Sequence, residues 1–137
     1  MISQLYKDCL LITMDIEQLF FEAECKKVQI FQNSRGGGGI YLIYEGIKNR
    51  IIDITNALDI YSSDNANIHP NDNASTQNEN EKIARCKDFT LKNIETIKNR
   101  MEHDEAITNL LKQNPAYTVS IYEFIRLYER IQDFTAV

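Results

Sequence analysis

Residues 2–30 read ISQLYKDCLLITMDIEQLFFEAECKKVQI, and this stretch decides the fold. Its apolar side chains recur at alternating steps of three and four residues, the spacing of helices that pack along a seam. The seam consists of Ile2, Leu5, Cys9, Ile12, Ile16, Leu19, Ala23, Lys26 and Ile30. Only Lys26 breaks its apolar character, so the stretch predicts one long helix with a buried stripe.

This stripe is wider than a two-stranded coiled coil requires. Tyr6, Leu10, Leu11, Phe20 and Phe21 lie beside the seam on the same helix. A broad apolar face is typical of a helix in a bundle core, so we expect several other helices around it.

The run Gly36–Gly39 holds four of the five glycines in the chain. A glycine costs about 1 kcal/mol relative to alanine inside a helix, so we expect the helix to stop here. Two interpretations are open: a natural flexible turn, or an engineered linker that joins a fused or partner-derived segment, 1–35, to the remainder, 40–137. The shift in composition favours the engineered linker.

A second seam follows the glycines, at Ile40, Tyr44, Ile47, Ile51, Ile54, Leu58 and Tyr61. Gly46 lies inside this helix, where its missing side chain is expected to let a neighbouring helix approach closely. Residues 62–80 then contain almost no apolar side chain, and we predict a disordered loop for them.

A third helix is predicted to begin with Asn78 or Asn80 as its cap. Its predicted buried stripe consists of Ile83, Cys86, Thr90, Ile94, Ile97 and Met101. The pattern either continues through Ile107 or bends near His103, and periodicity alone leaves both alternatives open. Asn114 and Pro115 end this helix and start the last one, which buries Tyr117, Ile121, Phe124, Tyr128 and Ile131.

These segments predict an all-α fold, an antiparallel four-helix bundle with coiled-coil-like seams and one long disordered loop. The four helices are expected near residues 1–33, 40–62, 80–112 and 115–135.

Composition limits the classes of function. The formal net charge of -5 disfavours nucleic-acid binding, which needs clustered lysine and arginine side chains. The three cysteines lack the close spacing of a zinc or redox pair. No apolar run approaches the roughly 20 residues of a membrane span, and the sequence shows no basic-then-apolar signal pattern at its N-terminal end. We therefore expect an intracellular protein, cytoplasmic or nuclear, with no membrane insertion.

Catalytic chemistry finds little support in the sequence. His69 falls in the polar loop and His103 in a charged stretch, and neither has a partner at a useful spacing. No Glu-x-x-His tetrapeptide of the di-metal bundles occurs. We predict a protein that is not an enzyme and has no catalytic residue, cofactor or metal.

The surplus of apolar positions predicts a helical protein-protein interaction module, either a scaffold or a subunit of a multi-protein complex. Its partners would be helical segments of another protein or further copies in a homo-oligomer, held by knobs-into-holes packing. The candidate interface residues are Ile12, Ile16, Leu19, Phe20, Phe21, Phe124 and Tyr128, chosen because buried aromatic and large apolar side chains dominate such interfaces.

One short linear motif offers an alternative. Asn114-Pro115-Ala116-Tyr117 matches the Asn-Pro-x-Tyr peptide that adaptor domains of the phosphotyrosine-binding type recognise in a turn. The same residues also suit the start of a helix, and recognition requires that Tyr117 be exposed.

A further alternative comes from a resemblance. Leu42-Ile43-Tyr44-Glu45-Gly46-Ile47 resembles the Leu-Tyr-Glu-Gly opening of flagellin-export chaperones, and Ile121-Tyr122-Glu123-Phe124-Ile125 is similar to their later Leu-Tyr-x-Tyr segment. The family's N-terminal proline-containing segment and last helix have no counterpart, so no family is assigned. The resemblance implies a secretion-type chaperone, with residues 1–35 filling the groove of a client helix.

Overall fold

A computed structural model describes residues 2–28, 37–63 and 77–135, and these residues form helices without any strand. The helices are α1 (Ile2–Val28), α2 (Gly37–Ser63), α3 (Gln77–His103), α4 (Glu105–Gln113) and α5 (Pro115–Thr135). The all-α prediction is confirmed, and the helices pack on one another as a bundle.

Helix α1 is the centre of this bundle. It makes extensive contacts with both α2 and α3, whereas α2 and α3 touch each other little within the described residues. The predicted seam faces inward, because Leu5, Cys9, Ile12, Ile16, Leu19 and Ala23 are all buried. We call these six residues the inner seam. The periodicity therefore predicted the core face of α1 correctly from Leu5 to Ala23, whereas the side chains of the seam residues Ile2, Lys26 and Ile30 lie outside the described part of the chain.

The seams of α2 and α5 also point into the core. Ile47, Ile54 and Leu58 of α2 are almost fully buried, as are Phe124 and Tyr128 of α5. Residue numbers increase together along the contacts between these two helices. The ring centroids of Tyr44 and Tyr117 lie 4.3 Å apart, and further along both helices Arg130 pairs with Asp59 at 3.4 Å.

The pairing of α1 with α3 shows the same order. The side-chain amide of Asn93 donates a 3.0 Å hydrogen bond to Thr13 Oγ1, which itself donates to the carbonyl of Leu10. Further along both helices, the Arg100 guanidinium binds the carboxylate of Glu24. Residue numbers again increase together, so α1 and α3 run in the same direction side by side.

The third predicted helix is two helices in the structure. Asp104 interrupts it with extended backbone, and its Oδ1 accepts hydrogen bonds from the backbone N–H groups of Ala106 and Ile107. This is a helix N-cap, and it starts α4. Of the two alternatives that periodicity left open, the bend near His103 is the correct one, and the described helices number five rather than four.

Several predicted boundaries are wrong by one turn. Gly37–Gly39 belong to α2, although the glycine run was expected to be non-helical. The first turn of a helix has free N–H groups in any case and tolerates glycine better than the interior does. Gly36 lies outside the described residues.

The polar loop is also shorter at both ends than predicted. Residues 62–63 end α2, and residues 77–80 begin α3, so Asn78 and Asn80 lie within a helix rather than capping it. Asparagine lowers helix propensity only modestly, so a helix can extend through one or two asparagines in its first turn. The remainder of the predicted loop, 64–76, lies outside the described residues.

Gly46 does not mark a close approach of two helices. A methyl group built on its Cα meets no other atom within 4 Å. The expectation failed because glycine inside a helical pattern signals missing volume without showing whether a neighbour uses that space.

Candidate functional site

A second seven-residue repeat follows the opposite side of α1. Lys7, Leu11, Met14, Gln18, Phe21 and Cys25 are spaced by four, three, four, three and four residues. We call these six residues the outer seam. Such spacing aligns side chains along one helix face, as in the core positions of a coiled coil.

The outer seam is open to solvent. Met14 is 53% exposed and Phe21 is 57% exposed, while Leu11 retains 38% of its surface. Lys7 and Gln18 are exposed as well, and Cys25 is half-buried. Single exposed apolar residues are common on protein surfaces, but an aligned row of them on one helix marks a surface that another element can cover.

The flanks of the outer seam are strongly acidic. In the heptad that the seam defines, the two flanking rows are Asp8, Asp15 and Glu22 on one side and Leu10, Glu17 and Glu24 on the other. Five of these six residues are carboxylates. Flanking rows of this kind select partners and orientation in coiled coils.

Among the residues that the structure describes, arginines of neighbouring helices pair with two of the five carboxylates. Arg50 of α2 pairs with Asp15 at 3.3 Å, and Arg100 of α3 pairs with Glu24. Asp8 accepts a 2.9 Å hydrogen bond from the amide of Gln4. Among the described residues, no lysine, arginine or histidine side chain forms an ion pair with Asp8, Glu17 or Glu22. The two arginine pairs also show that one flank faces α2 and the other faces α3.

Helix α3 carries an exposed aromatic residue at the level of the N-terminal half of the outer seam. The bond between Thr13 and Asn93 sets the register, which brings Phe89 to the level of Cys9 and Leu10. Phe89 is 53% exposed, and the ammonium group of Lys92 lies 6.0 Å from its ring centroid. The α3 side therefore offers a further apolar surface with a nearby positive charge.

The candidate interface residues divide sharply between inside and outside. Ile12, Ile16, Leu19, Phe20, Phe124 and Tyr128 are at most 1% exposed and lie in the core. In the folded chain they offer no surface to an external partner. Phe21 is the one candidate of the seven that stays exposed. Sequence reasoning missed Met14 and Leu11, although their spacing from Phe21 and Gln18 carried the signal.

The linear motif is built into the helical framework. Asn114 caps α4, and its side-chain amide donates to the carbonyl of Leu110 at 3.0 Å. Pro115 is exposed at the first position of α5. The ring of Tyr117 is half-buried against that of Tyr44, and burial raises the pKa of its phenol. An adaptor would have to displace this packing to reach the tyrosine.

Burial favours the neutral forms of two core groups, Cys9 and Tyr128. Burial raises the pKa of the Cys9 thiol to about 12, with a further contribution from the charge of Asp8. Burial also raises the pKa of the Tyr128 phenol above its usual range. A thiol of such high pKa is a poor nucleophile at neutral pH. Cys9 is therefore a packing residue.

Metal-binding groups do not converge within the part of the chain that the structure describes. There, no set of three or more histidine, cysteine or acidic side chains is arranged to hold an ion. His103 ends α3 on the surface, 3.6 Å from its neighbour Glu102, and His69 lies outside the described residues.

Comparison with protein-family models, with curated proteins and with solved structures gives no match to this chain. None of the described helices combines the length and the apolar character needed to cross a bilayer.

Proposed function

We propose that this chain is a non-enzymatic helical interaction module, a scaffold or subunit of a larger assembly, which binds a partner helix along the outer seam of α1. One observation carries the proposal: α1 has apolar residues at heptad spacing on two opposite faces, and the described helices around it cover only the inner one. An exposed heptad face suits knobs-into-holes packing against another helix.

Burial of the inner seam explains why the outer seam is well suited to binding. Residues such as Ile12 and Ile16 anchor α1 between α2 and α3, so the outer seam is held on a rigid support. A partner then meets a preformed helix and does not have to order it. Preorganisation of this kind improves affinity, because the entropy of ordering is lost on folding and not on binding.

The finer architecture belongs to the same proposal. Tyr6 near the start of α1 contacts Tyr128 near the end of α5, at 6.1 Å between ring centroids. Together with the parallel order of α2 and α5, this supports an antiparallel arrangement in which α1 and α3 run against α2 and α5. The short α4 connects the last two long helices.

A secretion-type chaperone is the second candidate function, and one observation favours it. Helix α1 lies between α2 and α3 as a client helix would lie in a groove, and a glycine-rich stretch separates it in sequence from the other helices. In this case residues 1–35 occupy the position of a client. Removing them would expose the inner surfaces of α2 and α3 in place of the outer seam.

Three synthetic amphipathic helices test the leading proposal. They share one leucine heptad stripe and differ only in flanking residues, which are lysine, glutamine or glutamate. Fluorescence anisotropy against the whole chain should detect binding of at least one peptide. The variant Met14→Glu/Phe21→Glu should weaken that binding about tenfold or more.

The matched control is Leu42→Glu/Ile52→Glu, because these α2 side chains are also exposed. It should bind like the parent chain. If none of the three peptides binds, and light scattering shows a monomer at all concentrations, the interaction proposal is wrong.

A further inference from the structure

The charges beside the outer seam identify the kind of partner that the seam accepts. This inference rests on the proposed function, since it assumes that a helix docks there. Of the six flanking positions, Leu10 is apolar and the other five are acidic. Charged flanks contribute to partner selection because like charges placed together across an interface are costly.

We propose that the occupant is a basic amphipathic helix of a different protein, with an apolar heptad stripe flanked by lysine or arginine. Asp8, Glu17 and Glu22 have no basic partner among the described side chains, and Asp8 has only the amide of Gln4 as a hydrogen-bond donor there, so these carboxylates can pair with such flanks. The formal net charge of -5 acts in the same direction by attracting a basic helix over longer distances.

A second copy of this chain fits the seam less well. In antiparallel packing, the row of Asp8, Asp15 and Glu22 would face the same row of the second copy. In parallel packing, that row would face Glu17 and Glu24, and Lys7 would lie beside Lys7. Acidic residues would meet acidic residues in both directions. Among the described ion pairs, Arg50 compensates Asp15 and Arg100 compensates Glu24, whereas the other three carboxylates have no such pair.

The apolar part of the seam sets the shape of the partner. Leu11, Met14 and Phe21 present large knobs, whereas Gln18 interrupts them near the middle. A polar residue at a core position fixes register in coiled coils. The partner should therefore carry a polar side chain opposite Gln18. At the N-terminal end of the outer seam, the exposed Lys7 would favour an acidic residue on the partner.

The same three peptides distinguish this inference from the proposed function. The lysine-flanked helix should bind about tenfold or more tightly than the glutamate-flanked one, with the glutamine-flanked helix between them. Its Kd should rise when NaCl is increased from about 50 to about 500 mM, because salt screens exposed charges. The Kd of the glutamine-flanked helix should change little.

Charge-neutralising variants locate the effect. Glu17→Gln/Glu22→Gln should weaken binding of the lysine-flanked helix roughly three- to tenfold and leave the glutamine-flanked helix unaffected. Glu123→Gln/Glu129→Gln removes the same charge from exposed positions of α5 and should have no comparable effect. Circular dichroism confirms that both variants fold.

Each other outcome is decisive. Equal binding of all three peptides at the outer seam would overturn the basic partner and leave the interaction module standing. Self-association that light scattering detects, and that Met14→Glu/Phe21→Glu abolishes, would also overturn it in favour of a second copy. Absence of all binding would remove the proposed function itself.

Discussion

The inner and outer seams of α1 share a seven-residue repeat but differ in composition and surroundings. The inner seam is isoleucine- and leucine-rich, and all its residues are buried by α2 to α5. The outer seam mixes Leu11, Met14 and Phe21 with Lys7 and Gln18, and it faces solvent. Periodicity thus predicts that a helix face can pack against another helix. Composition distinguishes a face that is buried in the core from one that tolerates exposure to water when no partner is bound.

The largest expected difference between the seams is in stability. Ile16→Ala should lower the free energy of unfolding by about 2–5 kcal/mol, because it leaves a cavity at a fully buried position. Met14→Ala, two residues away on the exposed face, should change it by about 0.5 kcal/mol or less. Urea denaturation followed by circular dichroism measures both. Equal losses would mean that the two faces are buried alike.

Alkaline pH should weaken the inner seam selectively. The unfolded Cys9 thiol loses its proton above pH 9.0, whereas the folded thiol keeps it until about pH 12. Stability linked to Cys9 is therefore complete below pH 9.0 and is lost as pH rises through this window, by at most about 1.4 kcal/mol per pH unit. Urea midpoints between pH 8 and 11 measure the slope.

Cys9→Ala provides the control for this pH effect. It should flatten the alkaline slope while lowering stability at every pH, because it also removes buried volume. Tyr128, whose pKa is raised in the same direction, still contributes above pH 10 in both proteins. An unchanged slope in Cys9→Ala would show that the thiol is not protected by the core.

Helix α1 shows how much of the fold and of the candidate site the sequence predicts. The spacing of Leu5, Cys9, Ile12, Ile16 and Leu19 predicted the core face directly. The stripe was so wide, however, that periodicity could not decide whether Phe20 or Phe21 faces inward. That choice depends on where α2 and α3 pack, which is a tertiary property absent from the pattern of one helix.

The α3–α4 break shows a different limit. Apolar periodicity continues through Ile107 and Leu111, both buried, so the pattern alone resembled one long helix. The decisive interaction is local: Asp104 Oδ1 caps the next helix, and Arg100 binds the same carboxylate at 3.3 Å. The sequence shows that an aspartate at position 104 is able to cap a helix. It does not show whether capping is more stable there than continuation of the helix.

Gly46→Ala should sharpen the comparison from the stabilising side. The added methyl group meets open space, and alanine is the better helix former. The free energy of unfolding should rise by about 0.5–1 kcal/mol, as measured by urea denaturation. Gly39→Ala, which also meets open space but lies near the start of α2, should give a smaller gain. A loss of stability at Gly46 would show that a neighbouring helix does occupy that space.

The smallest effect is expected at the surface pair between α2 and α5. Asp59 and Arg130 are both more than half exposed, so Asp59→Asn should cost about 0.5 kcal/mol or less. The cost should disappear in about 1 M NaCl because salt screens the pair. A loss of several kcal/mol in thermal or urea denaturation would mean that surface charges, and not the seams, hold α5 in place.

The central claim is that α1 completes a core shared by the other helices, and reconstitution tests it most directly. The measurement is titration of residues 40–137 with a synthetic peptide of residues 1–30, followed by circular dichroism and light scattering. We expect residues 40–137 alone to lose cooperative unfolding or to self-associate, and the peptide to restore a 1:1 helical complex. A peptide with Met14→Asp should also restore it, whereas Ile16→Asp should not. A monomeric, equally stable 40–137 fragment that ignores the peptide would contradict the account.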